Sequence, residues 1–439
     1  MFGTSGIRGV FGKEVTPELA FKVGAAIGQK GKPVVVGRDT RSTGEALMRA
    51  LAAGAMSCGS DIIDIGIAPT PTLALASLKH KCSAAMITAS HNPPEYNGIK
   101  LFSDGKEFTR AQEAEVTEKV QSGKFSRVAW NEAGKMSSED ALTAHKKLVH
   151  SLVDVALIRK TKPKVLIDAG NGAGSVLTPL VLREAGCEVI ERDCEASGNF
   201  KRGLEPNAEN LKETAKAVVA AGADLGIAHD GDADRAIVID EKGRLLGLDA
   251  QLVLMIQKEL EKKKGSIVST VEASLAVREA VESAGSNIYI TPVGSLFVEQ
   301  EVAKRKAVFG GEPCGEYIFP VGIPAPDGIL AALKFVELFC EKGKLSKLAS
   351  GVRTYPMRRA KYPCADKEKA MAKIRTSAGF GVAPNTSDGL RFDMSDGWLL
   401  IRASGTEPII RLTCEAKTGA RLKELSSKAE DIIKKATEN

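Results

Sequence analysis

The sequence contains no apolar run long enough to span a bilayer, so a membrane-crossing chain is not expected. Its opening stretch, MFGTSGIRGV, has neither a basic n-region nor an apolar h-region, so no signal peptide is expected. The eight cysteines, Cys58, Cys82, Cys187, Cys194, Cys314, Cys340, Cys364 and Cys414, include no CxxC pair. That argues against a zinc ribbon or a disulfide scaffold and for a reducing, cytoplasmic setting. Lys and Arg are dispersed apart from EKKKG at a probable helix end, which leaves no nucleic-acid footprint. No G-x-S-x-G elbow is present to suggest a hydrolase. The net charge is only +6, a mild positive field that weakly favours an anionic small substrate.

What remains is an ordinary globular composition, 43% hydrophobic and 26% charged, over 439 residues. That length suggests about three domains of roughly 150 residues. The chain also repeats itself. Residues 33–66, 163–193 and 265–294 each read as a β-branched strand, a small-residue turn, an amphipathic helix, a glycine and a second strand. The glycines, Gly59, Gly186 and Gly285, stand where a helix exit favours positive φ. Strand, helix and strand at this spacing predict right-handed βαβ crossovers, and three copies predict three related α/β domains. From about residue 353 the pattern changes to strands joined by turns at SDG and SGTEP, with a closing helix, which predicts a small α+β domain. The expected boundaries are 1–152, 153–249, 250–352 and 353–439.

Each repeat is followed by another apolar strand that runs into an unusual loop: SAAMI into TASHNPP, DLGIAH into DGDADR, and KAVFG into GEPCGE. Ligands of open α/β sheets lie beyond the carboxyl ends of strands, so three equivalent loops are candidates for one shared cleft. In TASHNPPEYNG the prolines hold the loop in one shape, either as a plain turn or as a rigid mount for the hydroxyl of Ser90. His91 follows directly. In an extended segment its side chain would point away from that of Ser90, which argues against a Ser–His pair. Lys100 lies ten residues on. It is either a solvated surface lysine or an ammonium that returns to the serine as acid, base or charge clamp.

DGDADR sets Asp230, Asp232 and Asp234 two apart. Carboxylates so close repel, and a hard divalent cation resolves that. A solvated acidic turn is the common alternative. An EF-hand loop fails, although Glu241 falls at its twelfth position, because Arg235 stands where glycine is required and a strand follows. A rigid turn for Mg²⁺ is the preferred reading, with Arg235 available to a phosphate. RASGTEPIIR places Ser404, Gly405 and Thr406 between Arg402 and Arg411, an anion nest with arginine clamps or, for SGT alone, a simple β-turn. Glu312 in GEPCGE can accept sugar hydroxyls. Together the parts describe phosphoryl transfer, in which positioning and charge neutralisation do most of the work.

With FGTSGIRG, TASHNPPEYNGIK, DGDADR, GEPCGE and RASGTEP in this order, the chain resembles the α-D-phosphohexomutase family over essentially its whole length. The resemblance implies an α/β fold of three related domains with mixed sheets plus a smaller C-terminal α+β domain, around a central cleft. It implies that Ser90 is the phosphoserine and binds one Mg²⁺ together with Asp230, Asp232 and Asp234. A phosphoryl group would then pass between the 6- and 1-positions of a hexose phosphate through a hexose 1,6-bisphosphate intermediate. Arg8 and Lys100 would serve near the serine as acid/base or charge stabilisers, Glu312 would hold sugar hydroxyls, and the loop from Arg402 to Arg411 would grip the other phosphate; His91, next to the serine, is a further catalytic candidate. Family members commonly carry serine and histidine where this chain has Cys314 and Glu316, and some carry histidine where it has Ser295. GEPCGE followed by YIFP looks like archaeal-type phosphoglucosamine mutases, so glucosamine phosphate is the expected substrate. A phosphomannomutase, phosphoglucomutase or phosphopentomutase on the same scaffold is the alternative, and a non-catalytic sugar-phosphate-binding paralogue is a further one. The expected partners are small sugar phosphates, with no nucleic acid and no membrane, in a monomer or homodimer.

Overall fold

The computed structural model describes residues 1–3, 5–404 and 408–437. The chain forms two compact units, Met1–Gln251 with Cys314–Ala349, and Leu252–Pro313 with Ser350–Asn439. No helix among the described residues is long and apolar enough to cross a membrane.

In the first unit, the VVV run builds the fully buried start of the strand Val34–Arg38. The helix Gly44–Met56 buries Leu47, Met48, Leu51, Ala52 and Ala55, one stripe at helical spacing. The strand Val34–Arg38 lies parallel to Ile62–Ile67 on one side and to Ser83–Ile87 on the other. Tyr96–Ser103 then runs antiparallel to Ser83–Ile87, and Ile7–Val10 antiparallel to Tyr96–Ser103. The second copy repeats this order. Lys164–Asp168 lies parallel between Glu188–Arg192 and Leu225–Ala228, and Ile237–Asp240 returns antiparallel to the last of these. In the second unit, Ile267–Thr270 lies parallel between Ile288–Thr291 and Phe309–Glu312. Gly59, Gly186 and Gly285 all take positive φ, at 84°, 106° and 68°. The expected repeat is therefore a repeat of topology as well as of pattern.

The C-terminal part is antiparallel. Its sheet runs in the order Met357–Pro363, Ile409–Ala416, Gly397–Ala403, Leu390–Met394. The helices Lys367–Ser377 and Gly419–Thr437 bury Ala370, Ile374, Leu425, Ala429 and Ile433 in the same core as the sheet residues Leu399, Ile401 and Leu412. This is the α+β arrangement expected from the tail.

Candidate active site

Ser90 sits just past the carboxyl end of the strand Ser83–Ile87, in the first unit. The loop closes on itself through Asn92 N–H to the Ala89 carbonyl and Tyr96 N–H to the Pro93 carbonyl, a turn that Pro93 preconditions. Ser90 is not extended. Its φ is 50°, in the left-handed region that a non-glycine residue rarely occupies. This overturns the expectation that Ser90 and His91 diverge, because the left-handed turn brings their side chains together, with Ser90 Oγ 3.3 Å from His91 Nδ1. Ser90 is only 1% exposed, and its Oγ donates to Asp230 Oδ2 at 2.6 Å.

The three aspartates lie on the turn between Leu225–Ala228 and Ile237–Asp240, and all are buried. They are not a solvated acidic turn. One ligand oxygen from each lies within 4.8 Å of the others. Asp232 Oδ2 accepts from Thr70 Oγ1 at 2.6 Å and from Lys100 Nζ at 2.9 Å, while Asp234 Oδ2 accepts from Lys100 Nζ at 2.7 Å. The other oxygens, Asp232 Oδ1 and Asp234 Oδ1, are buried with no hydrogen-bond partner among the described residues. Buried carboxylate oxygens without donors are costly, and a divalent cation satisfies them, so the set fits a hard metal ion bound by oxygen.

The electrostatics agree. Burial, then the charges of Asp234 and Asp232, push the Asp230 carboxyl well above its usual range. Burial also opposes ionisation of Asp232, but Lys100 and Thr70 outweigh it and hold that carboxyl below the usual range. Burial opposes the Lys100 ammonium, yet Asp232 and Asp234 outweigh it and keep Lys100 charged. Lys100 is 2% exposed and is no surface lysine. Burial, with Arg235 and Arg8 nearby, pushes His91 down to about 3, so its imidazole is neutral near pH 7. Arg8 donates to Asn92 Oδ1 at 3.2 Å and to the Ser5 carbonyl at 3.1 Å, at the edge of the serine loop.

Arg235 is tied up. It donates to Glu316 Oε1 through Nε at 3.1 Å and lies 3.2 Å from Glu205 Oε1 through Nη1. Glu205 is also 3.5 Å from His91 Nε2, so serine, histidine, glutamate, arginine and Glu316 form one chain of contacts. Cys314 is half-buried, two residues before Glu316.

In the second unit, Glu312 ends the strand Phe309–Glu312, and its Oε2 accepts from Gly294 N–H at 3.2 Å. Arg402 is held by Asp388 Oδ2 and Glu272 Oε1, each at 3.0 Å, and faces Arg411 across the sheet. The Ser404 carbonyl accepts from Lys367 Nζ at 2.6 Å. Gly405 and Thr406 lie outside the described residues.

Sequence reasoning missed Thr70, Glu205, Lys367 and His229. His229 Nδ1 donates to the Arg235 carbonyl at 2.6 Å and closes the aspartate turn across its base. Burial pushes this imidazole down to about 4, which suits a neutral ring bridging Arg235 and Thr178. The only signal for it was its place immediately before the first aspartate. Thr70, Glu205 and Lys367 lie in ordinary polar surroundings that carry no signal.

Four segments of the chain match descriptions of Phosphoglucomutase/phosphomannomutase: alpha/beta/alpha domain I over residues 1–127, domain II over 144–243, domain III over 248–355, and the C-terminal domain over 359–432. A probable phosphoglucosamine mutase of Thermococcus gammatolerans is 44% identical over 445 residues, covering 99% of this chain and 98% of the relative. One of Methanosarcina acetivorans is 42% identical over 441 residues, covering 99% of each. The crystal structure of a phosphoglucomutase/phosphomannomutase family protein from Burkholderia thailandensis superposes with a TM-score of 0.90 at 27% identity, covering 100% of this chain and 98% of that one.

Proposed function

The chain belongs to the phosphoglucomutase/phosphomannomutase family and is a hexose-phosphate mutase, and from that premise we propose that it interconverts glucosamine 6-phosphate and glucosamine 1-phosphate through a phosphorylated Ser90. The observation that carries the chemistry is the pairing of a buried Ser90 Oγ with Asp230, beside two aspartate oxygens that have no donor among the described residues. The sugar rests on the two relatives, each a probable phosphoglucosamine mutase.

In the first half-reaction the bond between Ser90 Oγ and phosphorus breaks, and a new bond forms from phosphorus to the free hydroxyl of the sugar phosphate. The hydroxyl loses its proton, and the serine oxygen regains one. The proton the hydroxyl gives up is the one the serine oxygen gains, and it travels back when the serine attacks the other phosphate of the hexose 1,6-bisphosphate. His91, neutral and 3.3 Å from Ser90 Oγ, can relay it by accepting it at its free ring nitrogen and passing it on. Lys100 is held as a cation between Asp232 and Asp234, which suits charge stabilisation rather than proton abstraction. Asp230, Asp232, Asp234 and the phosphate of Ser90 would hold Mg²⁺, whose contribution when bound is to neutralise charge on the transferring oxygens. Arg8 adds positive charge beside the loop, and Glu312 and Arg411 are the proposed contacts to sugar hydroxyls and to the phosphate that is not transferred. For Arg402, Ser404, Cys314, Glu316 and Arg235 the proposal is substrate contact too. Arg402 and Arg235 would have to exchange a carboxylate partner for a phosphate, a trade between like-charged ligands.

A coupled assay across glucosamine, glucose, mannose and ribose phosphates tests the sugar. Glucosamine phosphate is expected to have the highest kcat/KM, and a higher value for mannose or glucose phosphate would overturn the choice.

The phosphate contact has its own test. Losing one charge-assisted contact costs on the order of 1.5–3 kcal/mol, so Arg411→Ala is expected to raise KM about tenfold to a hundredfold. Because the intermediate must reverse its ends, KM should rise for both the 6-phosphate and the 1-phosphate. A rise in one direction alone, or a fall in kcat alone, would rule out a shared anchor.

A further inference from the structure

Both backbone ends of Ser90 lead to the same buried aspartate, Asp39. The Ser90 N–H donates to Thr88 Oγ1 at 2.9 Å, and Thr88 Oγ1 donates to Asp39 Oδ2 at 2.7 Å. The Ser90 carbonyl accepts from Arg41 Nη2 at 2.9 Å, and Arg41 Nε donates to Asp39 Oδ2 at 3.1 Å. The rest of the Arg41 guanidinium goes to the same loop. Nη2 also reaches the Asn92 carbonyl at 2.7 Å, while Nη1 reaches the carbonyls of Pro93 at 2.6 Å and Tyr96 at 2.9 Å. Arginine has five N–H donors in a rigid fork, and every one is used here. Arg41 is 1% exposed and Asp39 is fully buried, so neither is placed to meet substrate.

From this geometry we infer that Arg41, Asp39 and Thr88 are positioning residues that hold Ser90 in its left-handed conformation and so aim Oγ at Asp230. The inference rests on the reading that Ser90 carries the phosphoryl group. A left-handed serine is not self-supporting, so something around it must hold both of its peptide groups. Arg41 and Asp39 come from the turn after the first strand of the repeat, GRDTRS, whereas Thr88 and the serine follow the third strand. The aspartate turn has a counterpart. Arg202 Nε donates to Asp168 Oδ1 at 2.9 Å, and its Nη2 donates to the carbonyl of His229, directly before Asp230, at 2.7 Å. Asp168 ends the first strand of the second repeat. One arrangement, an arginine fork anchored on an aspartate beside the first strand, thus grips the reactive loop in both repeats of this unit.

The test uses Thr88→Val, Thr88→Ser and Arg41→Lys in the full-length protein. Thr88→Val removes the hydroxyl that holds the Ser90 N–H at nearly constant shape, and Thr88→Ser restores it. Arg41→Lys keeps the charge beside Asp39 but offers three donors from a single nitrogen. Two readings are taken on samples whose melting curves match wild type: amide hydrogen exchange of the 88–97 peptide, and the rate at which Ser90 takes up phosphate from glucose 1,6-bisphosphate, followed by intact mass. Thr88→Val and Arg41→Lys are expected to speed exchange in that peptide and to slow uptake by about tenfold to a hundredfold, because a small misplacement of a reacting atom is enough for such a loss. KM for the sugar phosphate should stay within about twofold, and Thr88→Ser should recover the rate. Wild-type uptake and exchange in Thr88→Val would overturn the inference. A loss carried by KM alone, or one shared equally by Thr88→Ser, would also overturn it. Should Arg41→Lys not fold, the Thr88 pair decides. If wild type itself takes up no phosphate on Ser90, the phosphoserine reading fails, and the exchange measurement still reports on the clamp.

Discussion

Ser90→Ala is expected to lose turnover by roughly four orders of magnitude or more, the scale seen when a covalent nucleophile is removed. Ser90 Oγ is the group that donates to Asp230 Oδ2, and among the described residues the only other hydroxyl bonded to the three aspartates, that of Thr70, is committed to Asp232. Treatment of wild type with a hexose bisphosphate should add one phosphate, found by intact mass and located in the peptide that contains Ser90. Ser90→Ala should add none. Its affinity for sugar phosphate should survive, because the proposed binding groups Glu312 and Arg411 lie far along the chain and do not depend on the hydroxyl. An active enzyme with stoichiometric phosphate on another residue and an unmodified Ser90 would refute the phosphoserine mechanism.

The second large effect belongs to the aspartate turn. Ionising all three buried carboxylates against one ammonium is opposed by their mutual repulsion, since each like-charged pair within 4.8 Å costs about 3–4 kcal/mol at an effective permittivity near 20, and a cation relieves it. Asp232→Ala removes one of the proposed ligands and the partner of both Thr70 and Lys100. Turnover is expected to fall on the order of a thousandfold, since positioning and charge neutralisation supply most of this catalysis. Calorimetric titration with Mg²⁺ should show one site in wild type and a much weaker one in Asp232→Ala. Chelation should abolish turnover, and added Mg²⁺ should restore it. Binding should also stabilise the fold by about 2.7 kcal/mol at a metal concentration one hundred times Kd, visible as a rise in the melting temperature of wild type. Full activity of Asp232→Ala in chelator, or a melting temperature that Mg²⁺ leaves unchanged, would refute a metal role for this turn.

These two effects differ in how far they could be read without coordinates. The aspartates were legible because they are two apart on one turn between two apolar strands. Local spacing alone forces their charges together, and the structure finds them buried as a cluster. The repeat was legible for the same reason. Strand, helix, Gly59 and strand are set by short-range preferences, and so are their counterparts around Gly186 and Gly285. Lys100 was visible only as a candidate, because its partners Asp232 and Asp234 lie 132 and 134 residues away. The orientation of Ser90 departs from the one its local sequence predicts. Two adjacent residues in a strand diverge, and nothing in TASHNPP announces a left-handed serine.

The sequence by itself therefore determined the repeat, the acidic turn and the place of the candidate loops at strand ends, since each depends on neighbours a few residues away. Only the tertiary structure decided which way the serine points, which carboxylates hold the lysine, and that Arg235 pairs with Glu316, 81 residues on. Those outcomes depend on strands distant in the chain meeting in the buried interior. There, an unpaired polar group is costly enough that the partner each group finds, rather than its local propensity, sets its conformation.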